Sequence, residues 1–578
     1  MSLFRQSASW LLAVSLLLLP FSSLCFTGVF KEDMGLFPVL VLVGVWLALF
    51  LCLSSTARVK ISVVDAAAGV FGLYYLVRLA GGTVDALAWL QVALWAGVYV
   101  AARCCGSVRT VLWGLVLSAA VQAGVVMAQQ AGWVASRHPL FDVSGTFGNP
   151  GQVGGFMAVA AAAVLVQVVG GWSNRFRSVR PVVAGVLGAM LLAGLWLADS
   201  RAAWLACLSG VAFAVLGTAG GRLGRWKGWL LACAVPVLLA AAWLVYRYRP
   251  LSADARLLIG RVSLDMLADA PLWGHGTDAF ARQYMFYQAD YFARHPDSPF
   301  ALVADNVGVA YNEWLHAGVA LGLVGMLLVL LPVAALLLHR PRHADGRSTG
   351  AALVALLVFS LFSYPLDVLP LAVLFPLLAG LGRGRVCVVL PLRRSVRRFL
   401  GVACLLGCVA VGRLGLFYAD ASRQTQALHG VGGMDRAVVE RLLPNPSFAD
   451  YYAHYVRLCG LAVDDSSLGA LLPPSCELFC HYGDLHLQRG RYAEAERCYC
   501  MASHMIPTRL TPVYKLWKLS LVQADSTSAI AWARRVCTHR VKVENTFTLR
   551  ARAEARRYLS QPARPHVSSG TGSEPLSY

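Results

Sequence analysis

Charged residues are scarce in this sequence, at 14% of 578 residues, and acidic ones are the scarcer kind, with 30 Asp and Glu against 50 Lys and Arg. A soluble domain has nearer a quarter of its residues charged. Hydrophobic residues reach 58% instead, and apolar runs long enough to span a bilayer recur from Trp10 to Tyr418. This balance excludes an ordinary soluble protein and predicts that the chain is embedded in a membrane as far as Tyr418.

Motifs of several functional classes are missing as well. A formal charge of +20 would suit a nucleic-acid partner, but zinc-finger spacing, an aromatic RNA-binding motif and a free basic tail are absent from the sequence. Most of the excess positive charge lies in short loops between apolar runs, where membrane topology explains it. The sequence has no phosphate-binding glycine loop, and Cys476-x-x-x-Cys480 does not have zinc-site spacing. We therefore expect no nucleic-acid partner, no metal and no cofactor.

The apolar runs predict about thirteen transmembrane helices. They cover residues 10–26, 37–54, 61–80, 87–102, 110–129, 152–170, 181–199, 202–218, 228–246, 306–338, 350–368, 370–382 and 399–417. With Arg5 inside, the Lys and Arg residues of alternate loops fall on one side, and the opposite loops are acidic, short or rich in turn residues. This pattern predicts that the long hydrophilic loop and the C-terminal region lie outside the cytoplasm.

Five segments follow from these patterns. They are N-terminal spans at 1–246, a large outer loop at 247–305, further spans at 306–417, an outer helical domain at 418–560 and a disordered tail at 561–578. In the fourth segment, small, aromatic and proline residues follow the pattern of one tetratricopeptide-type helix pair, with a weaker second copy. These residues are Gly483, Gly490, Ala495, Tyr499, Ala502 and Pro507, then Ala529 and Trp532. The predicted fold is all-α, a polytopic helix bundle followed by a repeat domain that binds a protein or packs on its own chain.

Three arginines are candidates for binding an anion. Arg201 joins two apolar runs at their outer end, where positive charge is not expected. It is therefore either part of a functional site or a snorkelling anchor. Arg256 and Arg261 lie at the start of the large loop, and either could clamp a phosphate. The alternative for both is a solvated helix, with Asp265 and Asp269 as local partners.

Further candidates lie at the outer ends of other spans. His275, His295 and His316 are possible general bases, because imidazole titrates near neutrality. Asn312 and Glu313 open the span after the large loop.

Two other features of the outer face have both a functional and a structural interpretation. Asn149 lies in a Gly- and Pro-rich turn before a span, where the helix N-terminus either binds an anion or simply ends a turn. Tyr291, with Tyr284, Tyr287 and Phe292, forms either a sugar-stacking surface or an interfacial aromatic belt. Each candidate is weak alone, and it is their convergence on the outer face that indicates a site.

Five segments in this order resemble the O-antigen ligase/polymerase superfamily, in the subgroup with a C-terminal tetratricopeptide extension. They are SGTFGNPGQVGGFMA, LADSRAAWLA, ARLLIGRVSLDMLADAPLWGHGTDAFARQYMFYQADYF, ADNVGVAYNEWLHAGVALGLVG and SYPLDVLPLAVLFPLLAGLG. The resemblance covers roughly residues 140–540. It implies a glycosyltransferase of the bacterial inner membrane with its active face in the periplasm. Such an enzyme passes a glycan, with inversion, from an undecaprenyl-pyrophosphate carrier to lipid A–core, a growing glycan or a protein, without metal or ATP.

By the same resemblance, Arg201 and Arg256 would hold the pyrophosphate, and Arg261 matches less well. The histidine that often precedes the asparagine opening the later span is replaced by Tyr311, so the base is not carried over, and Glu313, His295 and His316 are alternatives. Gly260 and Ala320 also replace residues typical of the family. A glycan polymerase, a protein O-oligosaccharyltransferase, a flippase and a membrane-tethered scaffold are the competing interpretations.

Overall fold

The computed structural model describes most of the chain. The described residues are 2–26, 28–53, 58–82, 85–171, 179–218, 250–338, 344–382, 384–391, 393–426, 434–461 and 469–560. The span expected at 228–246 and the tail expected at 561–578 lie outside them.

The described chain is built mainly of α-helices. Up to the large loop these are α1 (Ser2–Leu18), α2 (Ser22–Cys25), α3 (Leu36–Leu53), α4 (Val63–Ala80), α5 (Ala86–Cys104), α6 (Val108–Gln130), α7 (Pro150–Gly171), α8 (Val179–Leu197) and α9 (Arg201–Thr218). They continue with α10 (Pro250–Asp269), α11 (Ala279–Arg294), α12 (Glu313–Leu338), α13 (Ala344–Ser360), α14 (Leu369–Ala372), α15 (Leu374–Leu381) and α16 (Arg394–Gln424). The last are α17 (Arg436–Leu442), α18 (Pro446–Leu458), α19 (Cys476–Gln488), α20 (Tyr492–Met505), α21 (Leu510–Val522), α22 (Ser526–Thr538) and α23 (Thr546–Ser560).

Eight helices in the described ranges are long and apolar enough to cross a membrane, judged by length and composition. They are Leu3–Phe21, Leu36–Leu53, Val63–Ala80, Ala86–Cys104, Val108–Gln130, Pro150–Val168, Glu313–Leu338 and Arg394–Gln424, and shorter apolar helices cover Val182–Leu197, Arg201–Gly217 and Leu369–Leu381. The prediction of a helical chain with many apolar spans is confirmed, whereas the number thirteen stays a prediction. The bounds of several predicted spans differ from those of the helices, and two examples differ by about two turns. The span expected at 306–338 begins at Glu313, and the one expected at 350–368 runs from Ala344 to Ser360.

The predicted all-α class is confirmed, and a short two-stranded antiparallel ribbon accompanies the helices. Its strands are β1 (Arg58–Ser62) and β2 (Val386–Pro391), with Lys60 opposite Val389. Val-rich β2 favours an extended chain because β-branched side chains fit a pleated surface. A capping box between Ser62 and Asp65 ends β1 and starts α4, which is why the helix begins at Val63.

Helix α7 forms the core of the bundle. Its residues from Phe156 to Val164 are all 0% exposed, and it packs against α8, α9 and α13. Small residues permit this close approach. A Cβ atom on Gly154 would lie 2.9 Å from Cβ of Ser200, directly before α9. The starts of α7 and α9 are therefore neighbours.

Helix α12 is interrupted at Gly322, whose backbone has φ +68° and ψ −176°. A Cβ atom there would overlap the carbonyl of Leu272, so only glycine fits. The backbone groups freed by the break bond to the loop after α10. Leu323 N–H donates to Pro271 O at 2.8 Å, and Val319 O accepts from His275 N–H at 2.8 Å. Because the loop satisfies these groups, an apolar helix can break without leaving polar backbone unpaired.

The chain divides into two compact units. The first contains Met1–Tyr284, Val307–Cys459 and Val463–Pro473, and the second contains Met285–Asn306, Gly460–Ala462 and Pro474–Tyr578. Part of the large loop, residues 285–306, thus clusters with the C-terminal helices, whereas α17 and α18 cluster with the apolar helices.

The second unit is built around helices α19 to α23. Tyr499 lies against Gly483, where a Cβ atom would overlap the ring. Ala495, Tyr499 and Ala502 are at most 1% exposed, and Gly490 has φ +72°. These are the positions that the repeat pattern uses in its first helix pair. The assignment to the tetratricopeptide type stays a prediction.

Candidate active site

Two arginines from different elements are neighbours in the first unit. Arg201 is the first residue of α9, and Arg256 lies on α10. The side chain of Arg256 is exposed to solvent. Burial by surrounding protein and then the positive charge of Arg201 lower the pKa of the Arg256 guanidinium. Two cations that act on each other in this way suit the binding of an anion.

Two tyrosines adjoin this arginine pair. The guanidinium carbon of Arg256 lies 5.9 Å from the ring centroid of Tyr311. The rings of Tyr311 and Tyr364 meet edge to face, with centroids 5.2 Å apart and planes at 86°. Tyr364 also hydrogen-bonds with Gln152 on α7, and burial followed by the neighbouring Tyr311 raises the pKa of Tyr364 to about 12. Arg201, Arg256, Tyr311 and Tyr364 are called the arginine–tyrosine cluster below.

Both helix starts at this cluster are preceded by a residue with left-handed backbone. Asp199 has φ +44° and Tyr311 has φ +52°, and each stands two residues before its helix. Asn312 caps α12, because its Oδ1 accepts the N–H of Leu315 at 3.0 Å. A bulky tyrosine in this region costs on the order of 1–3 kcal/mol, and such strain concentrates at functional sites.

Acidic groups lie next to the two tyrosines. Glu313 is 8% exposed, and its Oε1 accepts the N–H of Leu366 at 2.7 Å. The residue after Leu366 is Asp367, which is within electrostatic range of Glu313 and His316. Burial raises the pKa of Asp367, and the charge of His316 opposes the rise. Asp367 also acts electrostatically on Tyr364, so it connects the arginine–tyrosine cluster to Glu313 and His316.

Asp367 belongs to a group of four carboxylates from separate parts of the chain, with Glu32, Asp33 and Asp85. We call it the acidic cluster. Burial and then the charges of Asp85, Glu32 and Asp367 raise the pKa of Asp33 to about 7. Among the described residues, no group of three or more His, Cys, Asp or Glu side chains is arranged to hold a metal ion.

Two glutamines of α6 accept hydrogen bonds from the turn before α7. Oε1 of Gln129 accepts the N–H groups of Ser144 and Gly145 at 2.9 and 2.8 Å, and Gln122 accepts the N–H of Thr146 at 3.0 Å. Asn149 then caps α7, with its Oδ1 bonded to Gly151 N–H at 2.8 Å. Asn149 therefore has a structural role as the cap of α7. Gln152 lies in the first turn of that helix, beside Tyr364.

The structure separates several predicted site residues from this cluster. The side chain of Arg261 is 63% exposed and lies 3.8 Å from Asp265, as in the solvated-helix alternative. The Nε2 atom of His275 lies 2.7 Å from the carbonyl oxygen of Met266 on the preceding helix. The imidazole of His316 packs against Phe280, with ring centroids 5.2 Å apart.

Tyr291 and His295 belong to the second unit. Their rings stack with centroids 4.7 Å apart, and Nδ1 of His295 lies 2.9 Å from the carbonyl oxygen of Tyr291. Tyr291 is 8% exposed and Tyr284, in the first unit, is 0% exposed. These tyrosines are core residues of their units, and they do not offer the open stacking surface that was one interpretation of the sequence.

Sequence reasoning missed Tyr364, Gln152, Asp367 and the carboxylates Glu32, Asp33 and Asp85 as candidate site residues. A signal was present for the first three, since SYPLD and GNPGQ occur in the family-like segments. These residues come together only through packing between parts of the chain about 200 positions apart, which no local sequence pattern encodes.

Residues 186–330 match the family model described as O-antigen ligase. No curated protein matches the chain. The matched range includes Arg201, Arg256 and Tyr311, together with Asn312 and Glu313. Through its apolar helices the chain is a multi-pass membrane protein, and over residues 186–330 it is similar to the O-antigen ligase family.

Proposed function

We propose that this membrane enzyme transfers a glycan from an undecaprenyl-pyrophosphate carrier to an acceptor hydroxyl, with Arg201 and Arg256 binding the pyrophosphate. The observation that supports the proposal is that Arg201, at the start of α9, lies near enough to Arg256 on α10 for its charge to act on that guanidinium, beside Tyr311. Guanidinium groups suit pyrophosphate because their planar forks bind its oxygens in pairs.

The proposed reaction breaks the bond between the anomeric carbon and the pyrophosphate oxygen. The acceptor oxygen forms the new bond on the opposite face, and undecaprenyl pyrophosphate leaves. Negative charge that builds on the leaving group is stabilised by the two arginines. The hydroxyl proton passes to a carboxylate near the tyrosines, for which Glu313 and Asp367 are the candidates.

The proposed location is a bacterial inner membrane, with the arginine–tyrosine cluster and the C-terminal helices in the periplasm. The distribution of Lys and Arg among the loops supports this orientation. The acceptor is lipid A–core, a glycan or a protein. The C-terminal helices are the candidate surface for a protein partner, if their repeat pattern acts as such arrays usually do.

The first prediction concerns the two arginines. Arg201→Ala or Arg256→Ala should lower glycan transfer about 100-fold or more, as loss of one transition-state donor does. Glycan transfer by Arg256→Lys should lie between that of the wild type and that of Arg256→Ala. Lysine keeps the positive charge but lacks the planar pair of donors that binds two oxygens at once. Cells lacking the protein are complemented with each variant, and carrier-linked, lipopolysaccharide and protein glycans are resolved separately on blots.

Arg436→Ala is the matched control, since Arg436 is an exposed arginine paired with Glu440 on its own helix. Expression of each variant is checked. Accumulation of carrier-linked glycan on the outer side supports a transferase, and the band that disappears identifies the acceptor. Carrier-linked glycan that stays on the cytoplasmic side favours a flippase. Normal glycans with both alanine variants at normal expression contradict the site and favour a scaffold.

A further inference from the structure

The arginine–tyrosine cluster contains an aromatic surface that pyrophosphate binding does not use. Tyr311 is 36% exposed, although its ring has aromatic and cationic neighbours. An exposed aromatic ring on a strained backbone lowers the stability of the folded chain. A ligand that packs on the ring would explain why it is retained. Since φ is +52° at Tyr311, glycine would fit this position with less strain.

The ring of Tyr311 is held from two sides. Tyr364 meets it edge to face at 5.2 Å, and Tyr364 is itself fixed by its hydrogen bond with Gln152. Arg256 lies 5.9 Å from the Tyr311 centroid. The two rings at 86° form a corner, and the anion-binding guanidinium stands beside it.

This arrangement has the chemistry of a sugar-binding corner. A pyranose ring presents axial C–H groups that pack on an aromatic face, while its hydroxyls bond to polar groups at the edge. Tyrosine suits both parts, because its face is apolar and its hydroxyl donates and accepts. In a glycosyl pyrophosphate, the sugar next to the phosphate lies one bond away from the anion, which matches an aromatic corner next to an arginine.

We propose that Tyr311 and Tyr364 form a subsite for the carbohydrate ring attached directly to the pyrophosphate. This inference rests on the proposed function and deepens it, since it assigns the sugar recognition to residues outside the arginine pair. Tyr311 supplies the face on which the ring lies. Tyr364, which hydrogen-bonds with Gln152, packs against the Tyr311 ring and so fixes its orientation.

The test separates sugar binding from pyrophosphate binding with two probes. One is a short-chain polyprenyl pyrophosphate without a sugar, and the other is the lipid-linked glycan extracted from cells that lack this protein. Dissociation constants are measured for the full-length protein in lipid nanodiscs. Tyr311→Ala should weaken binding of the glycan-bearing probe about tenfold, the order expected for loss of one aromatic stacking contact. Binding of the bare pyrophosphate should change less than twofold.

Tyr311→Phe keeps the ring and should retain at least half of the preference for the glycan-bearing probe. Arg256→Ala should weaken both probes by the same factor. Equal loss of both probes in Tyr311→Ala, or no loss of either, would overturn the subsite while leaving the proposed function intact. If the wild-type protein binds neither probe, the proposed function fails and the subsite fails with it.

Discussion

At the scale of single residues, the position of Asp33 makes the molecule sensitive to pH. Its carboxyl has a pKa of about 7 in the folded protein against an ordinary value of 3.8, through burial and three neighbouring carboxylates. Between these two values the folded state binds more protons than the unfolded state. Stability therefore falls as pH rises from about 4 to 7, and it stays at the lower level above pH 7.

Asp33→Asn should remove this dependence. We expect the variant to be more stable than the wild type at pH 8, by on the order of 1–3 kcal/mol, and the difference to vanish near pH 4. Thermal unfolding in detergent at pH 4, 6 and 8 measures it. Asp142→Asn, the same substitution at an exposed aspartate, serves as the control. A difference that grows toward acid pH would contradict the assignment.

The residues of the site also set the limit of what sequence can predict. Arg201 and Arg256 were predictable as candidates, because an arginine beside hydrocarbon or at the end of an apolar span needs a partner or a function. Asn312 and Asn149 were predictable as helix starts, yet their side chains are caps. The pairing of Tyr311 with Tyr364 was not predictable, since nothing local to either residue specifies a contact between α12 and the segment after α13.

At the scale of elements, helices α17 and α18 pack against the segment between α2 and α3. Phe448 is 0% exposed and stacks on Phe30 with ring centroids 5.9 Å apart. Asn445 caps α18 and its Nδ2 donates to Asp85 at 3.1 Å. Phe30 lies two residues before Glu32 in sequence, so this packing holds the chain that carries part of the acidic cluster.

Phe448→Ala should loosen α18 by about 3–5 kcal/mol, the cost of emptying a buried aromatic site. The expected result is faster tryptic cleavage within residues 434–459, where Arg436 is 73% exposed. Leu458→Ala is the matched control, because Leu458 lies on the same helix and is 71% exposed. Equal cleavage rates for both variants would argue against this packing.

The ribbon and the break at Gly322 show why element bounds were harder to predict than element types. Apolar content identified most spans, because hydrocarbon demands it. The strand Val386–Pro391 is short and lies between arginines, so its charged surroundings are more evident in the sequence than its extended backbone. Gly322 lies inside a continuous apolar run, and its break depends on bonds to residues 271–276, which the run itself does not reveal.

At the scale of the whole molecule, the large loop does not belong to one unit. Within the second unit, Gln288 is 0% exposed, and its Nε2 donates to Met505 O at 2.7 Å and Asp305 O at 3.1 Å. Asn306 Nδ2 donates to Glu477 Oε2 at 2.7 Å. Asp305 pairs with Arg509 at 3.6 Å and Lys542 at 3.3 Å. Residues 285–306 are therefore bound along successive connections between the C-terminal helices.

Gln288→Leu should weaken this unit, because two buried carbonyl groups lose their donor. The expected loss is about 1–3 kcal/mol. Cys476 and Cys480 are 2% and 6% exposed, so the urea concentration at which they react with a maleimide reports the opening. Asp290→Asn, an exposed position on the same helix, should leave that concentration unchanged. No shift in Gln288→Leu would contradict the binding of this segment by the C-terminal helices.

The discontinuous second unit has a consequence for how the protein is made. Residues 285–306 leave the ribosome before their partners at 474–560 exist. At about 5–20 residues per second, synthesis of the intervening chain takes roughly 8–35 s. During that interval Gln288 has no Met505 carbonyl to bond and Asp305 has no basic partner. A transcript cut short before residue 474 would encode the whole family-matched region and still yield a chain in which this segment never finds its partners, a ready substrate for quality-control proteases.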